Sequence, residues 1–331
     1  MAYIQIVVGL VLLIFAGDIL VRGAVSIAQR AGISKLVIGL TVVAFGTSAP
    51  ELVVGIDAIL ENVPTLALGN IVGSNIANIL LVLGVPALIA PMACNAPRLG
   101  RNLAIMLGAT CLFIGLAYTQ VFGFWQGAVL FSFLVAFLVY SGMRAKTATG
   151  GMEEMEKMEE LNEAPNGYGL AAVLIIGGLL GLMIGADMLV TGSVYVARHQ
   201  FHVSEAVIGL TLVAIGTSLP ELATALMASA RGHCDVAVGN VIGSNLFNLL
   251  GIMGVTAMIG TVPVPESFLR VDLWVMLASS MLLIPFCRYR ANVGRFAGIV
   301  LLGLYTSYMY YLSQSPESAN VMGMHFEQPA S

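Results

Sequence analysis

Apolar residues run through this chain in ten long blocks separated by short polar breaks. They fall at roughly 4–28, 33–60, 66–91, 101–119 and 122–143, then, after a polar gap, at 169–198, 203–231, 236–261, 270–287 and 294–312. Each is near or above the ~20 residues that a helix needs to cross the hydrocarbon core of a bilayer. The pattern predicts an all-α membrane protein of ten transmembrane helices, five on either side of the gap. It divides the chain into a first five-helix repeat (1–143), an acidic linker (144–168), a second five-helix repeat (169–312) and a polar tail (313–331) expected to be disordered. The N-terminus lacks the basic n-region and small-residue cleavage site of a signal peptide, so the first block is read as a retained helix.

Self-similarity changes what the two sets of five mean. At a shift of 170 residues, Gly46-Thr47-Ser48-Ala49-Pro50-Glu51 faces Gly216-Thr217-Ser218-Leu219-Pro220-Glu221. At the same shift, the segment from Gly69 to Asn78 (Gly-Asn-Ile-Val-Gly-Ser-Asn-Ile-Ala-Asn) faces that from Gly239 to Asn248 (Gly-Asn-Val-Ile-Gly-Ser-Asn-Leu-Phe-Asn). The first helices match more loosely, with Asp18 opposite Asp187. Five is odd, so two consecutive copies enter the membrane from opposite sides. This is an inverted repeat, an architecture of secondary transporters.

Composition agrees. The chain is 58% hydrophobic and 10% charged, against roughly 25% charged in an average soluble domain. The net charge of −4 says little about partners, and with no basic tract no nucleic-acid partner is expected. The four scattered cysteines suggest neither a metal site nor a disulfide framework. Twelve of the fourteen Lys and Arg residues fall on odd-numbered connections or the adjoining helix ends, leaving Arg198 and Arg270 on the other side. The positive-inside rule then puts both termini outside and the 144–168 loop in the cytoplasm; the membrane itself is expected to be a bacterial inner (cell) membrane. Six glutamates between Met152 and Glu163 make that loop a solvated tether, without the ligand spacing of an EF-hand.

The chemistry lies inside the membrane. A carboxylate at mid-bilayer costs at least ~2.5–3.5 kcal/mol, so it needs a partner or a function. Glu51 and Glu221 each follow a proline, which removes a backbone donor and frees the carbonyl four residues earlier. Thr47 and Ser48 share a helix face with Glu51, as do Thr217 and Ser218 with Glu221. Ser74 and Asn78, and Ser244 and Asn248, are four apart and share faces likewise. A lone Ser, Thr or Asn in such a helix is ordinarily interhelical glue. A duplicated Thr-Ser-x-Pro-Glu is not explained that way. Carboxylates, hydroxyls, amide oxygens and freed carbonyls make a hard-ligand cage suited to Ca²⁺ or Na⁺ and not to zinc or copper. Asp18 and Asp187 are expected near helix ends or paired with backbone donors.

With these motifs in hand, the sequence resembles the cation/Ca²⁺ exchanger superfamily, in its bacterial and archaeal sodium/calcium exchanger-like branch. The resemblance implies Ca²⁺ and Na⁺ as transported ions, no cofactor, no enzyme activity, and alternating access at a mid-membrane site. Its ligand set, carried over by motif, is Thr47, Ser48, Glu51, Ser74, Asn78, Thr217, Ser218, Glu221, Ser244 and Asn248, with the backbone carbonyls of Ala44 and Ala214. It also implies that the first and sixth helices slide over the other eight. One departure stands out: some sodium/calcium exchangers carry Asp where this chain has Asn248, which bears on the coupling ratio and on Na⁺ dependence. An H⁺-coupled Ca²⁺ antiporter is the nearest alternative, since low dielectric favours a protonated carboxyl; K⁺ remains a further candidate ion. A uniporter fits the inverted repeat less well. An intramembrane aspartyl protease built on Asp18 and Asp187 leaves the duplicated glutamate motif unexplained.

Overall fold

Residues 2–90, 99–145, 167–199, 214–288 and 292–314 are described by a computed structural model of the chain. The helices of the first half are α1 (Ala2–Ala31), α2 (Lys35–Ile38), α3 (Ala44–Thr47), α4 (Ala49–Leu60), α5 (Pro64–Leu80), α6 (Gly84–Ile89), α7 (Leu99–Ala117) and α8 (Phe124–Ala145). Those of the second are α9 (Tyr168–His199), α10 (Ala214–Thr217), α11 (Leu219–Ala230), α12 (Cys234–Leu246), α13 (Met253–Ile259), α14 (Leu273–Met281), α15 (Ile284–Arg288) and α16 (Arg295–Gln314). Wider π turns interrupt the chain at Gly39–Val43, Phe247–Ile252 and Phe268–Asp272. Two short strands, β1 (Val121–Phe122) and β2 (Val262–Pro263), pair antiparallel.

Among the described residues, 7 helices are long and apolar enough to cross a membrane. The bent pair α2–α3 plus α4, with a 42° bend, is long and apolar enough when taken together, which gives up to 8 spans if the pair counts as one. The block at 203–231 lies partly outside the described residues; its described part is α10 and α11. The linker is described only at its edges and the tail only to residue 314.

The fold puts apolar side chains on its outside. α1 exposes Tyr3, Ile4, Val7, Leu10, Val11, Ile14 and Phe15, and α9 exposes Leu170, Val173, Ile176, Leu180 and Ile184. A surface of that kind is stable against lipid and not against water. The interior belongs to the spans Pro64–Ile89 and Cys234–Ile259, 78% and 83% buried against 33% for α1 and α9.

Small residues set the closest helix contacts. α1 and α9 lie antiparallel: a methyl on Gly9 would meet the Gly185 carbonyl at 2.7 Å, and one on Gly23 the Ala171 carbonyl at 2.9 Å. Gly239 and Gly243 press α12 against the α2–α3 segment, where added carbons would meet the Leu36 carbonyl at 2.9 Å and the Leu40 carbonyl at 2.6 Å. Gly73 has no such neighbour among the described residues.

Two expectations need correction. Asp18 is neither near a helix end nor held by backbone donors. It sits mid-α1 and pairs with the side chains of Arg22, at 2.9 Å, and Arg231 at the end of α11. Asp187 is exposed. Cys234 is disulfide-bonded, a link the scattered spacing does not announce, whereas Cys111 and Cys287 are free thiols.

Candidate cation site

Two helix breaks and two enclosed helices build the site. Ser48 (φ −87°, ψ 7°) and Ser218 (φ −88°, ψ 2°) leave helical geometry one residue before α4 and α11 begin. Pro50 and Pro220 lie in the first turns of those helices. A proline fits there because its missing N–H is one that the first turn leaves unpaired anyway. The glycine before each motif threonine admits α9: carbons added at Gly46 and Gly216 would meet Leu179 and Val190, both at 2.5 Å. Glu51 and Glu221 therefore enter the interior on the first turns of α4 and α11, where the positive end of the helix dipole favours a negative charge.

Both carboxylates are fully buried, and Thr47, Ser48, Ser74, Asn78, Ser218, Ser244 and Asn248 are buried around them. Thr217 is half-buried at the end of α10, and Ala214 opens that helix. Hydrogen bonds thread these residues together across the two halves of the chain. Ser48 and Ser244 donate to Glu221 Oε1 at 3.1 Å and 3.4 Å. Ser74 accepts from Asn248 Nδ2 at 2.9 Å. Asn78 Nδ2 donates to Asn245 Oδ1 at 3.1 Å. The motif residues of α3–α4, α5, α11, α12 and the π turn after α12 thus lie buried together, bonded in separate groups around Glu221, Ser74 and Asn78. The Ala44 carbonyl accepts from the Ser48 N–H at 3.0 Å and shares the single proton of the Thr47 hydroxyl, 3.4 Å away, with Asn240 Oδ1.

What these groups do not do is more telling. Glu51 Oε1 and Oε2, Glu221 Oε2, Asn78 Oδ1, Asn248 Oδ1 and Ser218 Oγ are buried without a hydrogen-bond partner. Buried polar atoms are rarely left so, because each orphan costs about 1–3 kcal/mol and a charged one more. Carboxylate and amide oxygens accept but cannot donate, so they cannot satisfy one another. They can be satisfied together by a cation. No group of three or more His, Cys, Asp or Glu that could hold a metal occurs among the described residues. The donor set is oxygen-only with two carboxylates, which fits hard cations.

Residues outside the expected set join the cluster. Asn240 accepts from the Thr47 hydroxyl at 3.3 Å, and Asn245 Nδ2 donates to the Asn75 carbonyl at 3.2 Å. Their signal was present: Asn70, Asn75, Asn240 and Asn245 belong to the duplicated block, where an amide recurs in apolar sequence at the same register.

Comparison with known proteins agrees with this arrangement. The sequence profile of the family described as sodium/calcium exchanger protein matches residues 1–143 and again 170–314. The chain is 36% identical to inner membrane protein YrbG of Escherichia coli over 313 residues, covering 93% of this chain and 96% of YrbG. It is 31% identical to the sodium/calcium exchanger MaX1 of Methanosarcina acetivorans, covering 94% of this chain and 98% of MaX1. Its fold superimposes on a solved structure of the sodium-calcium exchanger NCX_Mj with a TM-score of 0.79 at 33% identity, covering 93% of this chain and 97% of that one. The chain belongs to the sodium/calcium exchanger family, within the cation/Ca²⁺ exchanger superfamily.

Proposed function

We propose that this protein is a membrane antiporter that exchanges Ca²⁺ for Na⁺ by alternating access at a site built around Glu51 and Glu221. The observation that carries it is the set of buried oxygens without partners on those glutamates, Asn78, Asn248 and Ser218. The full ligand set proposed is Thr47, Ser48, Glu51, Ser74, Asn78, Thr217, Ser218, Glu221, Ser244 and Asn248, with the carbonyls of Ala44 and Ala214. Two ionised glutamates balance one Ca²⁺ or two Na⁺, so the two ions compete for one cage.

The proposed frame is ten spans in two inverted five-helix repeats, 1–143 and 169–312, joined by the cytoplasmic 144–168 linker, with both termini outside. The antiparallel contact of α1 with α9, first helix against first helix, supports the inversion. α1 and α9 move as one body across the others. Glycine and alanine at their crossing hold them together, and Gly17 of α1 rides on Ala223 of α11, where an added carbon would meet the Ala223 carbonyl at 3.1 Å. Their shift opens the cage to one side at a time.

The test is radiolabelled Ca²⁺ uptake into Na⁺-loaded proteoliposomes. Glu51→Gln and Glu221→Gln are each expected to abolish it; uptake that survives both ends the assignment. The second reading, Ca²⁺ against H⁺, is favoured by one feature: Asn78 and Asn248 are both neutral, so only two carboxyls remain to carry the driving charge. Uptake driven by a pH gradient without Na⁺ would select it.

A further inference from the structure

An amide facing a cation must present its oxygen, because its NH₂ is a donor with the wrong polarity. Nothing in an asparagine's own shape decides which end points where, so the surroundings must. Around Asn78 they do so in sequence. The Asn75 carbonyl can only accept, and Asn245 Nδ2 donates to it at 3.2 Å. That turns Asn245 Oδ1 the other way, onto Asn78 Nδ2 at 3.1 Å. The Asn78 NH₂ is therefore spent on Asn245, and Asn78 Oδ1 is left buried without a donor. Asn245 is 1% exposed and stands where α5 and α12 cross, one helix from each half.

We propose that Asn245 is a positioning residue that acts through Asn78, keeping the Asn78 carbonyl oxygen, and not its NH₂, turned to the transported cation. The inference rests on the reading of the cluster as a Ca²⁺ and Na⁺ cage. Ser74 gives Asn248 the same service by a different route. The Ser74 hydroxyl donates to the Ile71 carbonyl at 3.2 Å, so its oxygen accepts from Asn248 Nδ2 at 2.9 Å and frees Asn248 Oδ1. The two halves thus reach one outcome with different chemistry, and Asn245 is the only one of the two orienters outside the ligand set.

The role can be separated from simple helix packing, because a carboxylate has two equivalent oxygens and no wrong end. Asn245→Leu is made in the parent and in an Asn78→Asp background, and the KM for Ca²⁺ uptake is read in proteoliposomes alongside the Ca²⁺-induced rise in Tm. In the parent, Asn245→Leu is expected to raise the KM by about tenfold, the scale of one lost buried hydrogen bond. In the Asn78→Asp background the change is expected to stay under about twofold, since no flip is possible there. If Asn245→Leu fails to insert, Asn245→Ala carries the same comparison. An equal loss in both backgrounds assigns Asn245 to packing and overturns the proposal, as does no loss in either. If Glu51→Gln and Glu221→Gln both retain the Ca²⁺-induced Tm rise, the cage itself falls and the positioning role with it.

Discussion

Replacing Asn248 with aspartate alters one atom of the proposed cage and raises its fixed charge from two negatives to three. Asn248 is completely enclosed, in the π turn that follows α12. Its Nδ2 donates to Ser74 Oγ at 2.9 Å, and an aspartate oxygen in that place cannot. The Ser74 hydroxyl must then leave the Ile71 carbonyl, which it now meets at 3.2 Å, and donate to the carboxylate. That swing trades a neutral hydrogen bond for a charge-assisted one, so the polar cluster survives. A cation about 4 Å from the new charge gains up to about 4 kcal/mol at an effective dielectric of about 20. Stripping water from the entering cation takes back several kcal/mol, leaving a net of about 1–2 kcal/mol, or roughly tenfold in affinity. The larger effect is on stoichiometry. A cage with two charges is neutralised by one Ca²⁺ or two Na⁺, and that exchange moves no net charge. A cage with three favours a third Na⁺ and moves one charge per cycle. The assay is Ca²⁺ uptake against a Na⁺ gradient in proteoliposomes with the membrane potential clamped. The parent is expected to ignore the potential, and Asn248→Asp to respond to it with a Na⁺ half-saturation lowered by about tenfold. Identical potential dependence and half-saturation in the two proteins would refute a cation contact at Asn248.

Two further sets of substitutions probe the helices proposed to move. Gly9→Val places a carbon 2.7 Å from the Gly185 carbonyl and the Leu189 amide, backbone atoms that cannot yield. It is expected to lower the Tm in detergent by the equivalent of about 1–3 kcal/mol, whereas Gly115→Val, with nothing within 4 Å among the described residues, leaves it unchanged; equal Tm values would refute the close α1–α9 contact. Asp18→Asn and Arg231→Gln cut one tie between α1 and the end of α11. The tie is partly exposed, so its effect on stability is small; the effects of the two substitutions on the Ca²⁺ uptake rate should be non-additive, and strict additivity would show that the pair does not link the helix proposed to move to its base.

The legible parts of this molecule are those set by local chemistry. Pro50 and Pro220 mark the breaks after Ser48 and Ser218 because a proline cannot continue a hydrogen-bond ladder. Duplication marks Glu51 and Glu221, because a mid-membrane charge that occurs twice in one register needs a common explanation. What stayed hidden depends on partners distant in sequence. Asp18 reads as a stray charge until Arg231 arrives from a residue 213 positions away. Asn245 reads as filler beside Asn248 until α5 crosses α12. The π turn that carries Asn248 leaves no proline or glycine signature at its start, since Phe247 and Asn248 are compatible with an ordinary helix.

The repeat predicts equal glutamates, and the structure makes them unequal. Glu221 Oε1 takes two hydroxyl donors, Ser48 from the first half and Ser244 from the second. By symmetry Ser218 and Ser74 should serve Glu51. Instead Ser218 Oγ is unpartnered, Ser74 is turned to the Ile71 carbonyl, and both Glu51 oxygens are bare. An ion that reaches this cage therefore meets one carboxylate already partly solvated by the protein and one that is not. Its gain is greatest at Glu51, where it replaces nothing and relieves an uncompensated burial cost. On the proposed reading, the duplicated motif yields two roles: Glu221 is held in place by the fold, and Glu51 is left for the cation to hold.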